Sequence, residues 1–532
     1  MIFPPRSDED ALLLVELGVI DFLLNLLDEA ILPCKTFAEK TWRTGCGTAS
    51  TTTLWALCQI NATVGFVTDA GAINPIIRLC KVTQDEAVLK LTTAAITDMC
   101  DKDKHRVLVF EGGGLEVLGM ALDKVANKKL MIQKEAPIIR KNVATALQNL
   151  SLSVACRNGF IAAGIVERLM ELCLMTDTEK KLIMPHQVIA SCIAVFANLA
   201  YEPRNGRKMI GLGVPKFLVK LLDVCRSGAV VTHICVCIRN MAMRKSTPDW
   251  QAWVTEKDEK HQNAFGEANA LKVLVDLCGR YMPPNNDNFV LENVLNCLVA
   301  LVWNHPKNRM RMANKDIIDI SVITSLASHG PRLNANIRQR LAILLADLAQ
   351  LPSMRVKLAE SGLMDNMYRW LHLPTHEAIT RFCAGGAVMN LVAEASNSSR
   401  FGKANDAARG KGYIACMGDI LRGEGLIDSL VMNLSGTLAN LSFKNDLNKQ
   451  KMWQAGVLQS LISNLDRPQT PSDGQMRKDL MIAALLMNLT AGAALRSVSR
   501  VAPKKNLCIF PFGHFVLLGG HPDVASKEWH HV

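Results

Sequence analysis

One column of residues constrains this chain more than any other feature. Seven stretches read nearly alike: ALQNLS at Asn149, VFANLA at Asn198, CIRNMA at Asn240, ALVWNH at Asn304, AVMNLV at Asn390, TLANLS at Asn440 and LLMNLT at Asn488. Weaker copies fill the gaps, ALCQIN at Gln59, AITDMC at Asp98 and LLADLA at Asp347, so that the column recurs every 39 to 64 residues. A chain of 532 residues would ordinarily divide into several compact domains. A fixed repeat removes that inference, because stacked units share one continuous core.

A glycine follows the column at a nearly constant distance. Gly164, Gly213 and Gly362 each lie 15 residues past their column residue, Gly456 and Gly114 lie 16 past, and Gly71 lies 12 past. Glycine between two helical patterns permits a sharp reversal, since it takes left-handed backbone angles freely. Pro75 and Pro215 fall just inside the segment that follows, where a missing N–H costs nothing. Each unit therefore reads as a short helix, a sharp turn and two longer helices, the last carrying the column.

Composition agrees with stacked helices. Hydrophobic residues make up 49% and aromatics only 5%, which predicts an aliphatic core. The sixteen cysteines lie mostly in apolar helical runs and form no CxxC pair, as expected of buried thiols in a reducing compartment, cytoplasmic or nuclear. No secretory leader pattern is present. The stretch NLCIFPFGHFVLLGG is too short to span a bilayer and is broken by Pro511, so no membrane insertion is expected.

Chemistry-bearing motifs are missing. EGGG at 111–114 lacks the Gly-Lys-Ser/Thr of a phosphate loop, and no HExxH or paired metal spacing occurs. The basic stretches HPKNRMRMANK and ANKKLMIQKE lack the interleaved aromatics of a nucleic-acid platform. The expectation is a non-enzyme with no cofactor, no metal and no nucleic acid. Trp250 and Trp253, within an insertion over 244–265, are candidate partner anchors, though such residues more often fold back onto the repeats.

The repeating pattern xLxNLS…(R)xxI…GxVxxLVxLL resembles the armadillo repeat, most fully in LQNLSLSVACRNGFIAAGIVERLMELC and LANLSFKNDLNKQKMWQAGVLQSLISNLD. The resemblance implies an all-α, right-handed superhelix, an armadillo-type solenoid of about ten three-helix repeats. It divides the chain into a first unit over 1–62, left open at its start, repeats two to ten over 63–491, and a non-repeat tail over 492–532. It also implies a concave groove in which column amides bind the backbone of an extended peptide. A carboxamide offers both a donor and an acceptor to an unpaired main chain.

On that reading the groove residues are Gln59, Asp98, Asn149, Asn198, Asn240, Asn304, Asp347, Asn390, Asn440 and Asn488, with Asn142, His233, Arg340 and Asn433 two turns earlier on the same face. The competing reading is a structural column, whose amides cap helix ends or bond neighbouring turns. The implied function is a protein-binding scaffold for extended segments of other proteins. The net charge of +11 favours acidic ones. Some armadillo proteins instead regulate GTPases as exchange factors, and no motif here supports that alternative. A nuclear-import adaptor of the importin-alpha type is disfavoured, because the W-x-x-x-N pattern appears only once, as Trp55 with Gln59.

Overall fold

The computed structural model describes residues 7–60, 62–126, 134–175, 183–243, 259–283, 287–314, 316–406, 409–423, 426–464 and 473–490. Trp250, Trp253 and the 492–532 tail lie outside them. The chain divides into two compact units at Ser246. Each unit is a stack of five helix triplets, so the described residues hold thirty α-helices.

In the first unit the third helices are Phe37–Cys58, Glu86–Met99, Ala136–Leu152, His186–Leu199 and Gly228–Ala242. In the second they are Asn288–Val302, Ala335–Ala349, Ala378–Leu391, Asp428–Ser442 and Asp473–Thr490. These are the long helices, at 14 to 22 residues, whereas first helices run 6 to 9 and second helices 7 to 13. The expected two longer helices per unit are thus one long and one intermediate. The first triplet has all three helices, Asp8–Glu16, Val19–Ala30 and Phe37–Cys58, and the Ser7 hydroxyl accepts from the Asp10 N–H to start it.

The reversal between first and second helices works as the glycine spacing implies. Gly18, Gly71, Gly113, Gly164, Gly213, Gly362 and Gly456 all take positive φ, between 65° and 86°. The spacing pointed to Gly114, but Gly113 holds the left-handed angle. Gly114 opens the next helix so close to the preceding turn that a Cβ would lie 2.6 Å from the Val109 carbonyl oxygen. In the sixth triplet the same angle falls to Asn269, at φ 64°, a residue that tolerates it through local hydrogen bonding. In the ninth triplet a short antiparallel hairpin replaces the turn, pairing Asn405–Asp406 with Lys411–Gly412. It is the one sheet among the described residues.

Two further side-chain types tie triplets together, and the sequence reading passed over most of them. Eight residues past the column, Arg106, Arg157 and Arg355 lie in the next first helix and reach back to the end of the preceding third helix. Arg157 donates through Nε to the Ser151 carbonyl at 3.0 Å and through Nη2 to Leu152 at 3.2 Å. Arg355 makes the same pair with Ala349 and Gln350, and Arg106 with Cys100 and Asp101. These carbonyls have no partner within their own helix, and they carry the negative end of its dipole. Asn308, Asn397 and Asn448 perform the task with a shorter arm, donating to Leu301, Leu391 and Leu441 at 2.8 to 3.0 Å.

The core is aliphatic and lies between successive triplets, with Leu, Ile, Val and Ala of the second and third helices almost wholly buried. Thirteen of the fifteen described cysteines are buried in it, while Cys34 is exposed and Cys46 half-buried. Burial pushes the Cys80 thiol up to about 11 and the Cys58 and Cys383 thiols to about 12. Since the thiolate is the reactive form, these groups are doubly protected. Titration with a thiol reagent at pH 8 is therefore expected to label Cys34 and Cys46 quickly and the thirteen buried thiols only after denaturant is added. Rapid reaction of ten or more groups in the native protein would contradict this packing.

Candidate functional site

In each of the two units the candidate site is the face of the third helices that carries the column. Most column residues sit near the C-terminal end of their helix, and their backbone amides are already satisfied, so only the side chains need partners. Those partners follow a rule. The Nδ2 of Asn149 donates to the Thr97 carbonyl at 3.4 Å, that of Asn240 to Ala197 at 3.2 Å, that of Asn440 to Met389 at 3.1 Å and that of Asn488 to Ala439 at 3.0 Å. Each acceptor is the residue just before the column position of the preceding triplet. Asn198 reaches the corresponding carbonyl through a hydroxyl, donating to Ser151 Oγ at 2.9 Å, which itself donates to the Gln148 carbonyl at 2.7 Å.

A second rung runs parallel, two turns earlier. Asn142 Nδ2 donates to the Lys90 carbonyl at 3.2 Å, and Asn433 Nδ2 to the Phe382 carbonyl at 3.0 Å. The offset is again one residue before the equivalent position of the preceding triplet. Asn142 also reaches Thr93 Oγ1, and its own carbonyl accepts from the Thr97 hydroxyl. The column is thus a ladder between triplets. Each rung adds about 1 kcal/mol of net stabilisation by the usual measure of an intramolecular hydrogen bond.

Exposure separates the members. Asn149, Asn198, Asn390, Asn440 and Asn488 are half-buried and Gln59 is exposed. Asn240, expected on an accessible face, is only 2% exposed, and its Oδ1 is sealed without a partner among the described residues. Asn433 is 3% exposed, and Cys297 and Cys383 at the same offset are buried too, so three of the four positions of that row in the second unit are closed to solvent. His233 is half-buried and bonds within its own helix, Nδ1 lying 2.7 Å from the Ala229 carbonyl. Arg340 is half-buried on the helix Ala335–Ala349.

Asn304 lies past the end of its helix, which stops at Val302, and holds a left-handed φ of 48°. Its backbone N–H donates to Asp347 Oδ1 at 3.4 Å. Asp347 is 2% exposed and faces the Arg309 guanidinium, with 3.6 Å between Oδ2 and Nε. Asp98, the other acid of the column, has the opposite surroundings. It is half-buried, and its Oδ2 accepts from the indole N–H of Trp55 at 2.7 Å. Burial raises its pKa, a shift the indole bond opposes. Asn390 is the plainest member, for its carboxamide makes no hydrogen bond with the described residues.

No group of His, Cys, Asp or Glu among the described residues is arranged to hold a metal ion. None of their helices is long and apolar enough to cross a membrane.

No family model matches the chain, and no curated protein matches it. Solved structures do. An engineered protein superposes with a TM-score of 0.61 over 88% of this chain and 99% of its own, at 18% identity. A chain from a structure concerning a phosphorylation switch that controls the interaction between cadherin and beta-catenin gives a TM-score of 0.61 over 92% of this chain and 86% of its own, at 14% identity. A computationally designed armadillo repeat protein overlaps 52% of this chain at 21% identity, with a TM-score of 0.40. At such identities the likeness concerns the fold alone. With the repeated triplet and its glycine reversal, the fold is an all-α solenoid of the armadillo type.

Proposed function

We propose that this chain is a protein-binding scaffold without catalysis of its own, and that its third-helix face holds extended segments of partner proteins. The observation that supports this reading is the state of the half-buried amides. Among the described residues, Asn149, Asn198, Asn440 and Asn488 each commit one N–H to the preceding triplet and keep a second N–H and an oxygen uncommitted, while Asn390 keeps all of its capacity. The committed bond holds each amide in one orientation, which lowers the ordering cost of meeting a peptide backbone. Buried free thiols suit a reducing compartment, which supports a cytoplasmic or nuclear location for the scaffold.

Two column positions separate binding from architecture. A library of displayed 12-residue peptides selected on the wild-type protein supplies the probe. Asn390→Ala is expected to change stability by no more than about 0.5 kcal/mol, since it removes no internal bond. It should weaken the selected peptide by about 1 kcal/mol, the worth of one hydrogen bond. Asn240→Ala should do the reverse, lowering stability by about 1 kcal/mol while sparing affinity. Melting curves and titrations on the same two variants decide. Loss of affinity in Asn240→Ala alone would sink the assignment of this face.

A further inference from the structure

The excess charge of this chain is not spread evenly. Residues 203–226, in the fifth triplet, hold six basic residues and one acid, a net of +5 within a chain whose total is +11. The first helix of that triplet, Pro203–Gly211, turns Asn205, Gly206 and Met209 into the stack. Apart from Pro203 and Gly211, its exposed residues are Arg204, Arg207 and Lys208, at spacings of three and four that share one face. The second helix, Val214–Val224, exposes Lys216 and Lys220 one turn apart, and Arg226 is exposed just beyond it.

Elsewhere in the first unit such cations are neutralised across the joints between triplets. Arg78 pairs with Asp28 at 2.7 Å, Lys81 with Glu116 at 3.1 Å, Lys104 with Asp69 at 2.8 Å and Arg168 with Asp123 at 2.8 Å. None of the six cations of the fifth triplet forms an ion pair with a described residue. Glu202, the acid beside the first helix, is taken by Arg157 at 3.5 Å. Glu167 and Glu171, at the places of Lys216 and Lys220 one triplet earlier, are exposed and pair with none of the six. Like charges gathered in this way repel one another, a cost to the fold that a polyanion would remove.

The chemistry of the patch selects among polyanions. It offers N–H donors and almost no acceptor, since Asp223 is the one exposed acid of the two helices. An extended protein segment brings its own main-chain N–H groups, which such a surface leaves unmet. Neither helix exposes an aromatic ring or an amide with which to stack on a base or read one. A layer of phosphate headgroups presents chiefly acceptors and asks for no pocket. Val224, one turn past Lys220 on the same face, is 44% exposed, and Tyr201, just before the first helix, 45%. Apolar groups beside cations suit the level of lipid headgroups.

We infer that the first and second helices of the fifth triplet form a docking face for an anionic membrane surface, held by charge and without insertion. This goes beyond the scaffold reading and is independent of what the column holds. Clusters of four to eight basic residues are the usual electrostatic footprint of binding to anionic lipid.

The test uses the full chain and sedimented lipid vesicles. Vesicles of phosphatidylcholine with about one third phosphatidylserine should bind the protein, and vesicles of phosphatidylcholine alone should not. Binding should weaken steeply as salt is raised. The triple change Arg204→Gln, Arg207→Gln and Lys208→Gln removes exposed groups that make no internal ion pair, so the melting temperature should hold. Partition to the anionic vesicles should fall about a hundredfold, from the usual worth of a basic residue near such a surface. The pair Lys216→Gln and Lys220→Gln, on the other helix, should lose about thirtyfold. A control in the second unit, Lys307→Gln with Lys357→Gln and Lys403→Gln, removes as much charge as the triple change and should alter partition by no more than about twofold. An equal loss in that control would overturn the docking face, as would binding that survives both patch variants. Failure to bind the anionic vesicles, equal binding to the neutral ones, or a patch that holds duplex DNA or polyglutamate in their place would do the same.

Discussion

Replacing Glu377 with Ala should destabilise the second unit by about 3–5 kcal/mol, the usual consequence of stranding one half of a buried ion pair. Glu377 accepts from Arg338 through both oxygens, from Nε at 3.0 Å and from Nη2 at 2.5 Å, and the two side chains are 5% and 15% exposed. The same guanidinium donates to the Leu333 and Gly330 carbonyls, in the 3-10 turn that follows the second helix of its triplet. Without the carboxylate it would stay buried and charged. A double change, Arg338→Met with Glu377→Leu, should recover most of the loss, because a well-packed apolar pair often equals a buried salt bridge. Urea unfolding of both variants checks the pair. Since triplets couple mainly to their neighbours, hydrogen exchange should place the damage in the seventh and eighth. A Glu377→Ala variant as stable as wild type would show that the pair carries no such weight.

The second large effect is expected on acidification, through His372. Burial, aided by the charges of Arg409 and Arg381, pushes its pKa down to about 4. Its ring packs edge-on against Tyr368, 5.0 Å between centroids, and Nε2 is sealed without a hydrogen-bond partner. A proton arriving there would find no acceptor. The folded value lies below the unfolded one, about 6.5, so the unfolded chain takes up the proton first. The contribution of the neutral ring is therefore complete above pH 6.5 and is lost as pH falls toward 4. Discounted for the part of the ring that solvent still screens, the loss amounts to about 1–2 kcal/mol near pH 4. Carboxylates titrate over the same range, so the informative quantity is the difference between wild type and His372→Phe. In melts from pH 7 to pH 4, wild type should lose stability relative to His372→Phe as pH falls. Parallel curves would mean the ring is not held neutral.

Much of the fold was legible because the repeat carries its own local physics. Gly164, Gly213, Gly362 and Gly456 could be assigned from spacing alone, and each adopts the left-handed angle that the turn requires. Gly113 was missed by one residue because three glycines run together, and only the approach to the Val109 carbonyl distinguishes Gly114. Asn269 escaped notice because the rule sought glycine. The fate of the column was harder to read, since it depends on atoms one triplet away. Asp98 and Asp347 occupy equivalent places in the apolar strings AITDMC and LLADLA, yet one meets an indole and the other a guanidinium. That difference is set by Trp55 and Arg309, which lie 43 residues before Asp98 and 38 before Asp347. The recurring Arg at 106, 157 and 355 left a trace in the repeat pattern, but its partners, bare helix ends, have no side-chain signature.

In the amide ladder, every donor is a specific side chain and nearly every acceptor is a main-chain carbonyl. Any residue type supplies such a carbonyl, so the accepting triplet is free to vary at that position: Thr97, Ala197, Met389 and Ala439 all serve equally. A joint of this kind is one-sided, like a hook that needs only an edge. A triplet could be copied, lost or moved along the stack and still find something to grip, with no matching change required in its new neighbour. Length in such a chain can therefore drift without the interface having to be reinvented each time.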